Sequence, residues 1–331
     1  MTGLLPTPSG SASGLPFRGT PAITDAAARA FLTLLDATLM DPAVHAPLTG
    51  SPHGAGRRRV LDAAGRTVEV PAQPRRVFAH DDFTTLPMLL ALGVPVVATT
   101  SESVPARLPS FLTPLDTRDI AVVGRFAHFS VRQLAALAPD LILARPGDLD
   151  DLAPTLSRRI APVVAPPLAE HTDDWQGNLR AVAAVVDRTE RAEELLSAVD
   201  REIAAAVRRL APVARRWPVL GLVGIDEDGV TRLSRPDRFP GTVLARLGFV
   251  HPTRRRSPLL DADVLLCFPV GSDPARHRHD LDAVTFDPVW ADSVAVRAGR
   301  VHRIDPDPVA AEGGVQQVRA LLAELERILA A

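Results

Sequence analysis

The segment from Asn178 to Ala211 is the longest stretch of this chain that contains neither proline nor glycine. The chain holds 31 prolines and 21 glycines, so such a stretch favours a long helix. From Glu190 onward its apolar residues recur every three or four positions, which is helical spacing: Ala192, Leu195, Leu196, Val199, Ile203, Val207 and Leu210. At 1.5 Å per residue, this second part alone would extend for about 33 Å.

The ends of the helical stretch carry recognisable signals. Two residue pairs have the spacing of a capping box: Asp173 with Gln176, and Asp187 with Glu190. They predict two helices that meet near Arg188. Pro212 is expected to end the second helix, because proline supplies no backbone N–H and clashes with the preceding turn.

The patterns on both sides of this stretch alternate between short apolar runs and helical runs. Before it, a hairpin turning at Ala64-Gly65 is followed by predicted strands near 76–79, 95–99, 120–123, 140–144 and 162–165, and helices near 83–92, 130–138 and 149–159. After it, we predict strands near 219–225, 231–234, 262–268 and 300–305, helices near 239–247 and 315–329, and a helix or turn near 287–296. Such alternation is typical of α/β layers with parallel strands.

The sequence therefore predicts an α/β protein with two Rossmann-like lobes joined by one long helix. A length of 331 residues suits two lobes better than one small core. The expected division is a leader at 1–58 with an amphipathic helix at 24–40, a lobe at 59–172, a connecting helical region at 173–211 and a lobe at 212–331. The alternative for the long helix is an ordinary core-packed helix of a single domain.

The leader contains no recognisable targeting signal. Residues 1–23 lack the basic and apolar segments of a secretory signal, and no early cysteine could take a lipid. The arginine run Arg57-Arg58-Arg59 is interpreted as the end of a solvated linker. The chain as written is therefore expected in the cytoplasm.

Composition excludes several classes of function. The net charge of −2 argues against general nucleic-acid binding. All basic residues are arginine, so mechanisms that need a lysine nucleophile or a phosphate-binding lysine are ruled out. The single cysteine, Cys267, lies in an apolar run and is expected to be buried in a strand. The chain contains none of the motifs GxSxG, HExxH, GxGxxG and CxxC.

Several segments resemble, in order, the helical-backbone (class III) periplasmic binding proteins of ABC importers for ferric siderophores, haem and cobalamin. They are RVLDAAGRTVEVPAQPRRVFA, LPMLLALGVPVVAT, VVGRFAHFSVRQLAALAPDLILA and IAPVV in the first lobe, and DADVLLCF and DPVWADSVAVRAGRVHRID in the second. The resemblance covers roughly residues 60–329 and is closest to the hydroxamate-siderophore binding proteins.

The resemblance implies a non-enzymatic receptor that holds a ferric siderophore or a related metal chelate between its lobes. It also implies no intrinsic cofactor, an ABC importer permease as partner, a monomer, and an extracytoplasmic, membrane-attached location. A signal-less intracellular protein of the same fold, which binds, hands over or processes a chelate or natural product, is the alternative. An enzyme that uses the cleft is a third possibility, for which no residue constellation argues.

Four arginines follow predicted strand ends or the second hairpin, where ligands of α/β proteins bind. They are Arg125, Arg145, Arg235 and Arg238. A guanidinium can donate paired hydrogen bonds to hydroxamate, carboxylate or catecholate oxygens. Several arginines that converge on one cleft would indicate an anionic ligand.

His80 and His128 complete the polar candidates for the ligand site. Together with Asp81 and Asp82 they could also bind a metal directly, but the acids are equally explained as caps of the following helix. By the resemblance, Asp81 or Asp82 is the first lobe's candidate for docking to the permease.

The aromatic candidates are few. Phe126 and Trp175 are predicted to contact the ligand, with the hinge as the alternative for Trp175. Trp290 is expected in the core.

Overall fold

The computed structural model describes residues 56–103, 105–126, 128–149, 153–169, 174–226, 229–252, 261–271, 290–291, 293–310 and 312–330. The helix predicted at 24–40 lies outside the described residues, as does Asp173 of the first predicted capping box.

An antiparallel hairpin opens the described chain, as predicted. Strands β1 (Arg57–Leu61) and β2 (Thr67–Pro71) pair with Val60 opposite Val68. The linker interpretation of the arginine run is wrong, because these residues form β1. The Arg58 guanidinium donates to the Ala184 carbonyl at 2.8 Å, which ties the hairpin to the connecting helices.

The first lobe contains a five-stranded parallel sheet in the order β5-β4-β3-β8-β9. Its described strands are β3 (Val77–Ala79), β4 (Val96–Thr99), β5 (Ala121–Val122), β6 (Gly124–Arg125), β7 (His128–Phe129), β8 (Leu141–Leu143) and β9 (Val163–Val164), of which β6 and β7 form a separate small hairpin. Its helices are α1 (Thr85–Ala91), α2 (Val131–Ala136) and α3 (Ala153–Arg159), with a 3₁₀ helix at Ser110–Leu112. The strands and helices predicted for this lobe are confirmed.

Two helices connect the lobes, as the sequence predicts. They are α4 (Trp175–Val186) and α5 (Thr189–Arg216). The predicted capping boxes are wrong in detail, since the Asp174 carboxylate accepts from Gly177 N and so caps α4. Asp187 instead ends α4 in a left-handed conformation with φ of 57°.

Pro212 does not end the long helix. It lies inside α5, which continues to Arg216 and buries Ala214 beyond the proline. The missing proline N–H removes one helical hydrogen bond, but the ring faces solvent and the following turn still packs on the core. Tertiary burial therefore outweighs the local cost of the proline.

The second lobe contains a four-stranded mixed sheet in the order β11-β10-β12-β13. Its strands are β10 (Leu220–Ile225), β11 (Thr231–Leu233), β12 (Val264–Pro269) and β13 (Val301–Arg303), of which only β11 is antiparallel to its neighbour. Its described helices are α6 (Gly241–Arg246), α7 (Val294–Arg297), α8 (Pro306–Ala310) and α9 (Val315–Leu329). The short helix α8 is not predicted by the sequence.

One apolar cluster runs through both lobes and the connecting helices. It joins Val77 and Leu141 of the first sheet to Leu222 and Leu266 of the second. The inner face of α5 lies within this cluster, and the predicted apolar positions are buried except Val207, which is half-buried. The long helix therefore connects the two lobes, as predicted, and also packs into the core that they share.

Each sheet has a second, smaller apolar cluster on its other face. Trp290 and Cys267 lie in that of the second lobe and are each 1% exposed, as predicted. The division of the whole chain at 58, 172 and 211 stays a prediction. Within the described residues, no helix has the length and apolar character that a membrane span requires.

We expect Pro212→Ala to raise the free energy of unfolding by about 1–3 kcal/mol, because a proline in a helix interior costs about 3 kcal/mol relative to alanine. Urea denaturation followed by circular dichroism measures the change. Pro218→Ala is the matched control, since Pro218 is also exposed but follows the helix. A gain that is equal in the two variants would contradict this account of the helix.

Candidate ligand-binding site

Polar side chains of the first lobe gather where its parallel strands end. His80, Asp81 and Asp82 follow β3, Glu102 follows β4, and Arg145 follows β8. Parallel strands bring their carboxyl ends to one edge of the sheet. The sequence rule that directs attention to strand ends therefore locates this group of residues.

His80 lies beneath the edge and is 1% exposed. Its Nε2 is 2.9 Å from the Phe126 carbonyl, so Nε2 carries the proton and donates. Its ring also packs against the rings of Phe126 and Phe129, with centroids 4.6 and 5.3 Å away. Burial lowers the pKa of His80 to about 4, so the ring is neutral at pH 7.

Asp81 and Asp82 are also buried, at 7% and 3% exposure. The Asp81 carboxylate accepts from Phe83 N at 2.7 Å, ahead of α1. Burial, and then the neighbouring Asp81 carboxylate, raise the pKa of Asp82 to about 7. Two roles expected from the sequence are wrong: neither side chain caps α1, whose N-cap is Thr84, and neither lies on the surface where it could dock to a permease.

Glu102 organises the adjacent loop. Its carboxylate accepts from Phe126 N at 2.5 Å and from the Arg125 guanidinium at 3.1 Å. The side chains of Arg125 and Glu102 are 55% and 40% exposed. This pair therefore forms the accessible surface above the buried His80.

The hairpin of β6 and β7 fixes the position of this surface. Gly124 has φ of 142°, and a Cβ there would approach the His128 carbonyl oxygen to 2.6 Å. Only glycine tolerates that close approach. Arg125 lies opposite His128 in the hairpin, which places these two predicted site residues side by side.

Residues that follow β13 in the second lobe contact the first lobe. The Asp307 carboxylate accepts two hydrogen bonds from the Arg107 guanidinium, at 2.6 and 3.1 Å, and one from Ser110 N at 2.6 Å. The Ser110 hydroxyl donates to Asp305 at 2.5 Å. Asp307 is 4% exposed and the Arg107 side chain is 43% exposed, so this bridge between the lobes is buried at its acidic end.

A second contact joins the lobes at Arg145. Its guanidinium lies 3.7 Å from Glu312 of the second lobe and 4.0 Å from Asp148 of its own. The charges of Arg145 and Glu102 both shift the pKa of His80, and the charge of Asp82 raises the pKa of Arg107. The charged groups of both lobes therefore form one connected set at the facing strand ends.

We call this set the edge network. Its members are the carboxyl groups of Asp81, Asp82, Glu102, Asp148, Asp305, Asp307 and Glu312, and the guanidinium groups of Arg107, Arg125 and Arg145. Sequence reasoning missed six of these members: Glu102, Arg107, Asp148, Asp305, Asp307 and Glu312. The strand-end rule could have found Glu102, three residues after the predicted strand at 95–99, and Asp305, the last residue of the predicted strand at 300–305.

Three predicted site residues lie apart from the edge network. On the surface, the Arg235 guanidinium donates two hydrogen bonds to the Asp237 carboxylate, at 2.9 and 2.6 Å. The charge of Arg238 helps to lower the pKa of the same carboxylate. Trp175 is 3% exposed, and a Cβ at Gly313 of the second lobe would lie 3.0 Å from its ring. The hinge alternative for Trp175 therefore fits its position, between α4 and the segment before α9.

The arginines do not form an unbalanced positive surface. Arg125, Arg145 and Arg235 each lie within 4.0 Å of a carboxylate. The expectation that convergent arginines imply an anionic ligand is therefore not supported by the geometry. Among the described residues, no group of three or more His, Cys, Asp and Glu side chains has the arrangement of a metal site.

We expect Asp82→Asn to change how stability depends on pH. The folded state raises the pKa of Asp82 above its usual value of 3.8 to about 7, so it binds a proton that the unfolded state has lost between these values. Stability of the unsubstituted protein is therefore lost as pH rises through this range. Between pH 5 and pH 8, the unsubstituted protein should lose on the order of 2 kcal/mol of unfolding free energy that the variant keeps. If the difference in unfolding free energy between the two proteins stays constant with pH, the shifted pKa is contradicted. The contribution of His80 is common to both proteins and cancels in this difference.

A double-mutant cycle tests the bridge between the lobes. We expect Asp307→Ala to cost more than Arg107→Ala, because it leaves a guanidinium and the Ser110 N–H without their acceptor. The coupling between the two substitutions should be about 1–2 kcal/mol in urea denaturation. Arg118→Ala, which breaks an exposed pair with Asp116, is the control and should change little. Additive costs at Arg107 and Asp307 would argue against the bridge.

Comparisons with known proteins agree with this architecture. The family model described as periplasmic binding protein matches residues 80–257. The probable siderophore-binding lipoprotein YfiY of Bacillus subtilis (strain 168) is 25% identical over 289 residues, which cover 81% of this chain and 86% of that protein.

Two solved structures show the same fold. Staphylococcus aureus SirA complexed with staphyloferrin B has a TM-score of 0.66 at 22% identity, and the match covers 82% of this chain and 98% of SirA. A Bacillus subtilis periplasmic binding protein of the FhuD fold family, a component of a ferrichrome ABC transporter, has a TM-score of 0.66 at 18% identity, covering 81% and 98%. The lobes, the parallel sheets and the connecting helix agree with these structures. The family model spans more than half of the chain. The chain therefore belongs to the periplasmic binding protein family, whose members bind ligands and are not enzymes.

Proposed function

We propose that this protein binds a ferric siderophore or a related metal chelate between its lobes and presents it to an ABC importer. The observation that carries the proposal is the edge network, which brings charged side chains of both lobes together at the ends of parallel strands. A ligand placed there contacts both lobes. The siderophore-binding relative YfiY supports the same class of ligand.

The chemistry of the exposed surface suits the oxygen shell of such a chelate. A guanidinium has five N–H donors, and Glu102 engages one nitrogen of Arg125. The Arg125 side chain is 55% exposed, so its other N–H groups can donate to hydroxamate or catecholate oxygens. Arg145, His128 and Phe126 lie on the same edge and are further proposed contacts, whereas Arg235, Arg238, His80 and Trp175 stay predictions from the sequence.

The rigidity of the connector supports a receptor. Helix α5 is buried along one face in a core that both lobes share, so a large hinge motion would expose apolar surface. Binding is therefore proposed to need only small movements of the lobes.

Tryptophan fluorescence tests the function directly. The chain has three tryptophans, of which Trp175 lies where α4 meets the second lobe. We expect quenching at micromolar or lower concentration by one ferric chelate from a panel of ferric hydroxamate, catecholate and carboxylate siderophores, their iron-free forms, haem and cobalamin. If no compound of the panel changes the tryptophan fluorescence, the proposal is overturned.

Arg125→Ala should weaken binding of that chelate at least tenfold, because it removes the exposed donors at the edge. Arg118→Ala is the matched control, since this arginine is also exposed and paired with an acid but lies outside the edge network. The affinity is measured by the same fluorescence titration. Unchanged affinity in Arg125→Ala would remove this residue from the site.

A further inference from the structure

A buried acid of the first lobe lies next to a residue that the second lobe contacts. Asp82 is 3% exposed, and one oxygen of its carboxyl group has no hydrogen-bond partner among the described residues. The carbonyl of the next residue, Phe83, accepts a hydrogen bond from the Gln317 side chain at 2.9 Å. Gln317 belongs to α9 of the second lobe and is completely buried. The segment that carries Asp82 is therefore in direct contact with α9.

The Ser101 hydroxyl links this acid to the bridge between the lobes. It donates to the Arg107 carbonyl at 2.7 Å, and Ser101 is 1% exposed. The same hydroxyl also hydrogen-bonds the Asp82 side chain, an interaction that favours the ionised carboxylate. Because a hydroxyl has only one proton to donate, an ionised Asp82 competes with the Arg107 carbonyl for it.

Arg107 makes the bridge itself. Its guanidinium donates to the Asp307 carboxylate of the second lobe at 2.6 and 3.1 Å. These hydrogen bonds raise the pKa of Arg107 most, and the negative charge of Asp82 raises it further, so an ionised Asp82 attracts the same guanidinium. Ionisation of Asp82 therefore acts on Arg107 twice, at its carbonyl and at its side chain. Both effects draw Arg107 toward the first lobe and away from Asp307.

We propose that Asp82 is a proton-operated switch of the contact between the lobes: its neutral form lets Arg107 hold Asp307, and its ionised form loosens that hold. The switch is built into the fold and needs no ligand. Loosening of the contact also admits water to the buried carboxyl group, which stabilises its charge. Ionisation and loosening therefore favour each other.

The direction of the pH dependence follows from proton linkage. While the lobes are in contact, burial and the Asp81 carboxylate raise the pKa of Asp82 from 3.8 to about 7. In contact with water this pKa would fall again, so loosening releases a proton and becomes easier as pH rises. For these two pKa values, the equilibrium constant for loosening should increase about tenfold from pH 6 to pH 8.

The surroundings of Asp82 leave it as the group that switches. The charged groups that face it are Asp81, Glu102 and Arg107. His80 precedes it by two residues and stays neutral at both pH values, because burial lowers the pKa of His80 to about 4.

Hydrogen exchange followed by mass spectrometry tests the switch without any ligand. The most direct reporter is Ser110 N, which donates to the Asp307 carboxylate at 2.6 Å. We expect the amides of segments 107–112 and 304–309 to exchange at least threefold faster at pH 8 than at pH 6, after correction for the chemical exchange rate at each pH. Amides of β10 are the internal reference and should show no such gain. Equal corrected rates in the two segments would overturn the proposal.

Two variants assign the effect to Asp82. Asp82→Asn cannot ionise and should remove the difference between pH 6 and pH 8. Asp81→Asn should move the midpoint of the pH dependence to lower pH, since the Asp81 charge helps to raise the pKa of Asp82 after burial. Asp116→Asn, which removes an exposed acid outside the edge network, is the control and should behave as the unsubstituted protein. A gain that persists in Asp82→Asn, or a midpoint that does not move in Asp81→Asn, would assign the effect to another group and overturn the proposal.

The consequence for ligand release rests on the binding function proposed above. The ferric chelate that the fluorescence panel selects should dissociate at least threefold faster at pH 8 than at pH 6, and Asp82→Asn should remove this difference. Equal dissociation rates in the unsubstituted protein would overturn the link to release. Failure of every chelate to bind would overturn the binding function, whereas the exchange rates of the ligand-free protein decide the switch in either case.

Discussion

Both lobes bury apolar side chains against one long helix, and this shared core determines how the two sheets face each other. The buried face of α5 joins Leu141 of the first sheet to Leu266 of the second in a single cluster. Removing either lobe from the helix would expose that surface at a cost of about 25 cal/mol for each Å² of apolar area. The helix therefore sets the geometry in which the strand ends of the two lobes meet.

Charged side chains add direct contacts between the two lobes. The bridge of Arg107 with Asp307 and the contact of Arg145 with Glu312 join the lobes at the facing edges. Buried and paired groups of this kind are specific in geometry but add little net stability, since desolvation offsets much of the attraction. Burial and the neighbouring Asp81 carboxylate raise the pKa of Asp82, so ionisation of this buried acid near neutral pH reduces stability.

Much of the fold could be predicted from the sequence because hydrophobic period and turn residues are local signals. The strands near 140–144 and 219–225 and the stripe on α5 follow from such patterns. Pro212 misled the prediction, since the packing of Ala214 is not visible in a local rule. Most of the edge network was missed for a similar reason: Arg107 and Asp307 lie 200 positions apart and are joined only by the meeting of the lobes. Strand-end residues such as Arg125 and Arg145 were found because topology alone places them.

The position of a bound iron ion tests the central claim most directly. Crystals grown with a ferric trihydroxamate would locate the iron by its anomalous scattering. The account predicts one iron between the lobes, beside Arg125 of the first lobe. Iron bound elsewhere on the surface, with the facing strand ends unchanged, would contradict it.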